Sequence, residues 1–153
     1  MDFCKTFPEG VRVEYKQEPT KHIPKIISSF ANTVGGIWII GVETDKTTNL
    51  PRLPLEGMKQ TAGVQEQITQ SARTGIYSAI TPDVRVLDVP GKPDRMIVVV
   101  KVPESIEDPH AIENSTRVYI RTASTTEPYD LADIDRIDYL LKRRRHLSRD
   151  GKN

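Results

Sequence analysis

The chain has 153 residues, 37% hydrophobic and 28% charged, which suits one domain of ordinary size; 22 Lys and Arg against 21 Asp and Glu give a formal net charge of +1. No window approaches 18 consecutive apolar residues, which excludes a membrane-spanning helix, and Met1 to Glu9 holds no apolar stretch behind basic residues, so no secretory signal is expected. A single cysteine, Cys4, excludes an internal disulfide and a multi-cysteine zinc site, and His22, His110 and His146 lack metal-ligand spacing, so a reducing cytoplasm is the expected compartment.

Val11, Val13 and Tyr15 alternate with Arg12, Glu14 and Lys16, the pattern of a half-buried strand with one charged face. Pro24 suits a first helical residue, and Ile23, Ile26, Ile27, Phe30 and Ala31 share one side of a helix running to about Asn32. Gly35-Gly36 ends that helix, and the uncharged run from Ile37 to Val42 predicts a central strand. Glu43 to about Leu55 is polar, with Pro51 and Pro54, and reads as a loop. A second helix is predicted within roughly 59–80, interrupted by Gly63 and Gly75. Asp83 to Val89 and Met96 to Val102 predict an antiparallel hairpin that turns through Gly91-Lys92-Pro93-Asp94, a connection of five to six residues. After a loop from Pro103 to Asn114, Arg117 to Arg121 predicts a short strand with both arginines on its exposed face. The last helix is expected to start near Asp130 as N-cap, with Asp133 in its first turn and Leu131, Ile134, Ile137 and Leu141 at helical spacing. The order β-α-β-α-β-β-β-α predicts an α/β (α+β) fold, a mixed sheet packed by about three helices.

The small net charge hides an asymmetry. From Lys142 to Asn153 six basic residues stand against one acidic residue, a net +5, which leaves −4 on the first 141. The expected organisation is a mildly acidic body, 1–141, and a basic C-terminal tail, 142–153. A helix C-terminus favours one or two cations, not Lys142, Arg143, Arg144 and Arg145 in succession with Arg149 beyond, so the tail is expected to meet a polyanion. Lys16, Arg117 and Arg121 could join the hydroxyls of Ser124, Thr125 and Thr126 in a phosphate-binding surface, or could be ordinary charges on a strand face. Glu9 and Glu14 could hold Mg²⁺ or Mn²⁺ beside a phosphodiester, but five residues is an odd offset, so they converge only if Gly10 breaks the strand alternation. Otherwise they are solvated acids, with Glu14 paired to Arg12 or Lys16. The Gly35-Gly36 pair either makes a tight helix-to-strand connection or offers backbone N–H groups to an anion. Tyr15, Trp38 and Tyr119 could stack on bases, but each fits a core pattern better.

Four segments taken together are specific: Glu9; Glu14-Tyr15-Lys16; Phe30-Ala31-Asn32-Thr33-Val34-Gly35-Gly36 running into Ile37 to Val42; and Val118-Tyr119-Ile120-Arg121-Thr122-Ala123-Ser124-Thr125. In this order they resemble the signature of the Schlafen AlbA domain family, over about Glu9 to Thr126. The resemblance implies a nucleic-acid-binding domain, described in the family as DNA-binding and often attached to a larger transcriptional regulator, with DNA or RNA as partner, little sequence specificity and no cofactor needed for binding. An older description of the family as a divergent ATPase finds no phosphate-binding lysine loop here. The family's animal branch implies an alternative, a metal-dependent endoribonuclease with three carboxylates. Glu9 and Glu14 match two of them by motif. The third position aligns with Thr44, leaving its neighbours Glu43 or Asp45 to serve, with Mg²⁺ or Mn²⁺ as cofactor. A third expectation is a homo-oligomerising module for a partner domain.

Overall fold

The computed structural model describes residues 8–19, 21–107, 109–114, 116–123 and 129–150, the last six by backbone alone. Its elements are β1 (Val13–Lys16), α1 (Ile23–Ala31), β2 (Gly36–Ile40), β3 (Met58–Lys59), α2 (Val64–Gly75), β4 (Asp83–Val89), β5 (Lys92–Val102), β6 (Tyr119–Arg121), β7 (Tyr129–Leu131) and α3 (Ile134–Asp150). A mixed sheet with three helices is what the patterning predicts, with β3 and β7 as additions.

β1 and β2 are parallel, with Glu14 opposite Trp38, and α1 is the crossover between them. β2 pairs antiparallel with β5 over Val98 to Val102, and β4 pairs with β5 along most of its length. Because Met58 and Asp88 both pair with Met96, β3 and β4 must lie on opposite edges of β5, which sets β3 on the edge that β2 occupies further along. β6 and β7 form a separate antiparallel pair.

The sheet buries both faces. Trp38 and Ile40 of β2 and Val98, Val100 and Val102 of β5 pack with Ile26, Ile27 and Phe30 of α1 and Ile68 and Ala72 of α2. Ile39, Val13, Tyr15 and Ile97 make a smaller cluster on the other face. Each fully buried Ile or Phe is worth roughly 1.5–3 kcal/mol, so α1, with Ile23, Ile26, Ile27 and Phe30 all in the core, is held by packing rather than propensity.

Three boundaries differ from expectation for local reasons. Helix α2 is shorter than 59–80, because Met58 and Lys59 pair with β5 and Gly63, at φ +80°, precedes the first turn. The β4–β5 connection is not five or six residues but the dipeptide Pro90-Gly91, in which Gly91 supplies a φ of +76°. Pro93 is tolerated inside β5 because the register shifts there, Asp88 pairing with Met96 but Val89 with Lys92. Helix α3 begins at Ile134 rather than near Asp130. Asp133 is its cap, Oδ1 accepting the Arg136 N–H at 2.8 Å, while Asp130 is drawn into β7 by pairing with Ile120. The expected boundary between body and tail, after Leu141, falls inside α3.

Candidate nucleic-acid interface

Glu14 is on the helix-packed face of β1 and is fully buried, not on an exposed polar face. Its Oε2 lies 2.8 Å from Arg121 Nη1, and its Oε1 lies 3.3 Å from Lys16 Nζ. Arg121 is 3% exposed, which corrects the expectation that both strand arginines face solvent. Its guanidinium stacks 4.4 Å from the Phe30 ring centroid and donates to the carbonyls of Gly10 and Val13. Burial lowers the Arg121 pKa, and the Glu14 carboxylate works against that shift. Such an arginine is spent inside the protein and is not available to a phosphate.

The other signature residues close the same knot. Thr33 Oγ1 accepts the Arg121 backbone N–H at 2.8 Å. Asn32 Nδ2 donates to the carbonyls of His110 and Tyr119, both at 2.9 Å, while its Oδ1 accepts the His110 N–H at 2.7 Å. His110 is itself fixed: Nδ1 must donate to the Ser78 carbonyl, at 2.6 Å, so Nε2 accepts from the Ser105 hydroxyl. Gly35 adopts φ +72°, donates its N–H to Phe30 O, and would drive a Cβ to 2.7 Å from Glu104 N. It makes the tight connection, and its N–H is not free for an anion. Trp38, Tyr15 and Tyr119 are core residues, at 0%, 2% and 7% exposure, and not stacking platforms. Lys25, which the sequence did not single out, lies 4.6 Å and 4.7 Å from the Tyr119 and Tyr129 ring centroids and fastens β6–β7 to α1.

The acids converge only in part. A turn in which Gly10 N–H donates to Val13 O breaks the strand alternation and returns Glu9 Oε1 to the Tyr15 N–H at 3.1 Å. Burial, and secondarily Glu14, raise the Glu9 pKa above its ordinary 4.5. Glu43 instead faces Arg52 at 3.6 Å. Asp45 caps its own loop, accepting the Thr47 and Thr48 N–H groups, which hold its carboxyl below the usual value. Among the described residues no three acidic, His or Cys side chains gather as metal ligands, so the expected set of Glu9, Glu14 and Glu43 or Asp45 does not assemble.

Most of the expected basic residues also have partners. Arg117 pairs with Glu113 at 2.9 Å and Lys142 with Asp138 at 2.7 Å. Arg143 Nη1 lies 2.8 Å from Glu104 Oε1 and 3.0 Å from Thr33 O, which pins α3 to the corner after α1. Arg144 is exposed. Ser124 and Thr125, and the side chain of Arg145, lie outside the described residues. Beside the corner that Arg143 grips is a groove of about 390 Å³, lined by Arg12, Val34, Gly35, Gly36, Ile37, Lys101, Val102, Pro103 and Glu104 among others. Arg12 and Lys101 are exposed there, and neither has an ion pair among the described residues. The sequence signal for them is slight: Arg12 precedes β1 as one charge of an alternating charged pattern, and Lys101 is one of several charges in β5.

A family model described as Schlafen, AlbA_2 matches residues 9–130. The fold is similar to the solution NMR structure of the N-terminal domain of a RecG-related protein, ascribed to the ATP-dependent DNA helicases, from Nitrosomonas europaea, with a TM-score of 0.54 and 23% identity over 68% of this chain and 70% of that one. At that identity the likeness speaks for the fold alone.

Proposed function

The chain belongs to the Schlafen, AlbA_2 family, and on that premise we propose that it is a nucleic-acid-binding domain, holding phosphates with little base specificity, of the kind that serves a transcriptional regulator. The observation that carries this reading is the placement of cations without carboxylate partners. Arg12 and Lys101 flank one groove, and Arg143, itself paired with Glu104, roots α3 beside it, which brings the exposed Arg144 towards the same corner. Cations on a surface of this kind supply affinity and register through phosphate oxygens but no sequence readout.

The test is fluorescence anisotropy with labelled DNA and RNA oligonucleotides of unrelated sequence. Dissociation constants of about 10⁻⁴ to 10⁻⁶ M at physiological salt are expected, tightening as salt falls and differing little between sequences. An absence of binding at low salt overturns the reading.

A second reading, self-association, is favoured by one observation. Of the apolar stripe expected to bury the last helix, Leu131, Ile134 and Leu141 are 49%, 84% and 37% exposed, and Tyr139 beside them is 51% exposed, so that face lies largely open, with Leu140 alone fully covered among the described apolar residues of α3.

A further inference from the structure

We propose that the groove at the Gly35-Gly36 corner receives one unpaired nucleotide, its phosphate on Arg12 and Lys101 and its base on the apolar wall, so that the domain prefers single-stranded to duplex nucleic acid. This rests on the nucleic-acid reading above. The geometry follows from the sheet. Val13, Ile37 and Lys101 stand in register across three neighbouring strands, about 10 Å from end to end, and share the face turned away from α1 and α2. Arg12 precedes Val13 on one side, and Lys101 stands on the other.

Between the two cations the wall is aliphatic: Val34, Ile37 and Pro103. The acid on this rim, Glu104, is already engaged by Arg143 at 2.8 Å. The groove therefore presents unpaired positive charge around an apolar surface, in a volume of about 390 Å³ that falls within the usual range for ligand sites, about 300–1,000 Å³. A ligand that matches must be anionic where the two long side chains reach it, and flat and apolar where it meets the wall between them. A nucleotide is both. In a duplex, however, each base face is covered by its neighbours, and exposing one costs a few kcal/mol of unstacking and unpairing. A single strand offers the same unit with far less to undo, and contact with aliphatic side chains is indifferent to which base is present.

The experiment uses the full chain and follows backbone amide resonances by heteronuclear NMR during titration with four probes: a 5′-phosphorylated oligothymidylate, its duplex with oligoadenylate, thymidine 5′-monophosphate and inorganic phosphate. The Gly35 and Gly36 amides should move with the single strand and with the mononucleotide, and should stay nearly still with phosphate at equal concentration. Affinity for the single strand should exceed that for the duplex by about tenfold or more. Replacing both Arg12→Ala and Lys101→Ala should remove about tenfold of single-strand affinity, two phosphate-contacting cations being lost. Both side chains are exposed, and an unchanged melting temperature would show that the fold is intact.

Binding that leaves Gly35 and Gly36 unmoved, or that is equal for single strand and duplex, overturns the groove assignment while leaving the nucleic-acid reading standing. Equal shifts with inorganic phosphate would make the groove a bare anion site and also overturn it. No binding of either polymer at low salt overturns both readings together.

Discussion

Arg121 Nη1 and Glu14 Oε2 are 2.8 Å apart with both side chains closed to solvent, and the pair joins the first strand of the main sheet to the separate β6–β7 pair. Removing one member strands a buried charge, which costs about 3–5 kcal/mol, whereas replacing both with apolar residues of similar volume is far milder. Arg121→Met and Glu14→Leu should each lower stability by that amount in urea unfolding. The double variant should lose clearly less than the sum. Arg121 would still forfeit its bonds to the Gly10 and Val13 carbonyls, so full recovery is not expected. Additive losses would show that the pair does not act as a unit.

That pair also explains how far the sequence could be read. The order of the helices and main strands follows from periodicity, because the amphipathic α1 and the uncharged β2 each have one sensible burial, whereas the Gly35-Gly36 corner allows two readings until its backbone geometry is seen. Glu14 and Arg121 do not, because alternation assigns a polar residue to the wet face by default. Here that residue lies under α1, and its compensation comes from a strand at the far end of the chain. Asp130 is in a strand rather than at a helix cap for a similar reason: the three-residue strand β7 has no periodic signal and exists only through pairing with β6. The basic run was legible as charge but not as free charge. Lys142 is neutralised within α3 by Asp138, four residues back, as helical spacing alone allows; whether Arg143 is neutralised depends on where α3 packs, and local sequence does not specify that.

The salt dependence of binding should separate paired from unpaired cations. If about four phosphates are neutralised, log K should fall with log salt at a slope near −3.6 on duplex DNA and near −2.8 on a single strand. Arg144→Ala, at a position with no ion pair among the described residues, should flatten the duplex slope by about 0.9. Lys142→Ala should change it less, since Lys142 already has Asp138 as a counter-ion at 2.7 Å. A slope indifferent to Arg144 would remove α3 from the interface.

Metal should do little. Glu14 is held by Arg121 and Lys16, Glu43 by Arg52 and Asp45 by its own loop amides. For Glu14 to ligate a metal, the pair with Arg121 would have to open. Addition of millimolar Mn²⁺ is therefore expected to leave the melting temperature unchanged within about 1 °C, since a ligand that binds the folded state well above its Kd would raise it. Incubation with structured RNA in the presence of Mn²⁺ should yield no cleavage beyond a metal-only control. A metal-dependent rise in melting temperature that Glu9→Ala abolishes would reverse this conclusion and restore the carboxylates to a metal site.

Self-association through α3 is checked by sedimentation. Ile134, at 84% exposure, stands at the first turn and contributes little to its own core. If α3 pairs with a second copy, Ile134→Asp should shift a concentration-dependent dimer to monomer while leaving the melting temperature of the monomer within about 0.5 kcal/mol equivalent. A wild-type chain that remains monomeric at high concentration rules the interface out.

Glu9 gives a pH-dependent prediction whose sign can be worked out. Burial first, and the neighbouring Glu14 second, raise its folded-state pKa above the 4.5 of an ordinary glutamate, with the Tyr15 N–H bond opposing them. A group whose pKa is higher folded than unfolded binds its proton more tightly in the native state. Its favourable contribution is full below about pH 4.5 and disappears as pH rises through the folded value. At neutral pH the charged Glu9 is therefore a cost to the fold. Glu9→Gln keeps an oxygen to accept the Tyr15 N–H and removes the repulsion with Glu14. It should be more stable than the parent at pH 7, with the advantage shrinking as pH falls below the folded pKa of Glu9. Denaturant unfolding at the two ends of that range checks the convergence, and an NMR titration of the Glu9 carboxyl should place its midpoint above 4.5. A variant less stable than the parent at pH 7 would mean that the Glu9 charge is held favourably by Lys16 and Arg121, outweighing burial and the repulsion from Glu14.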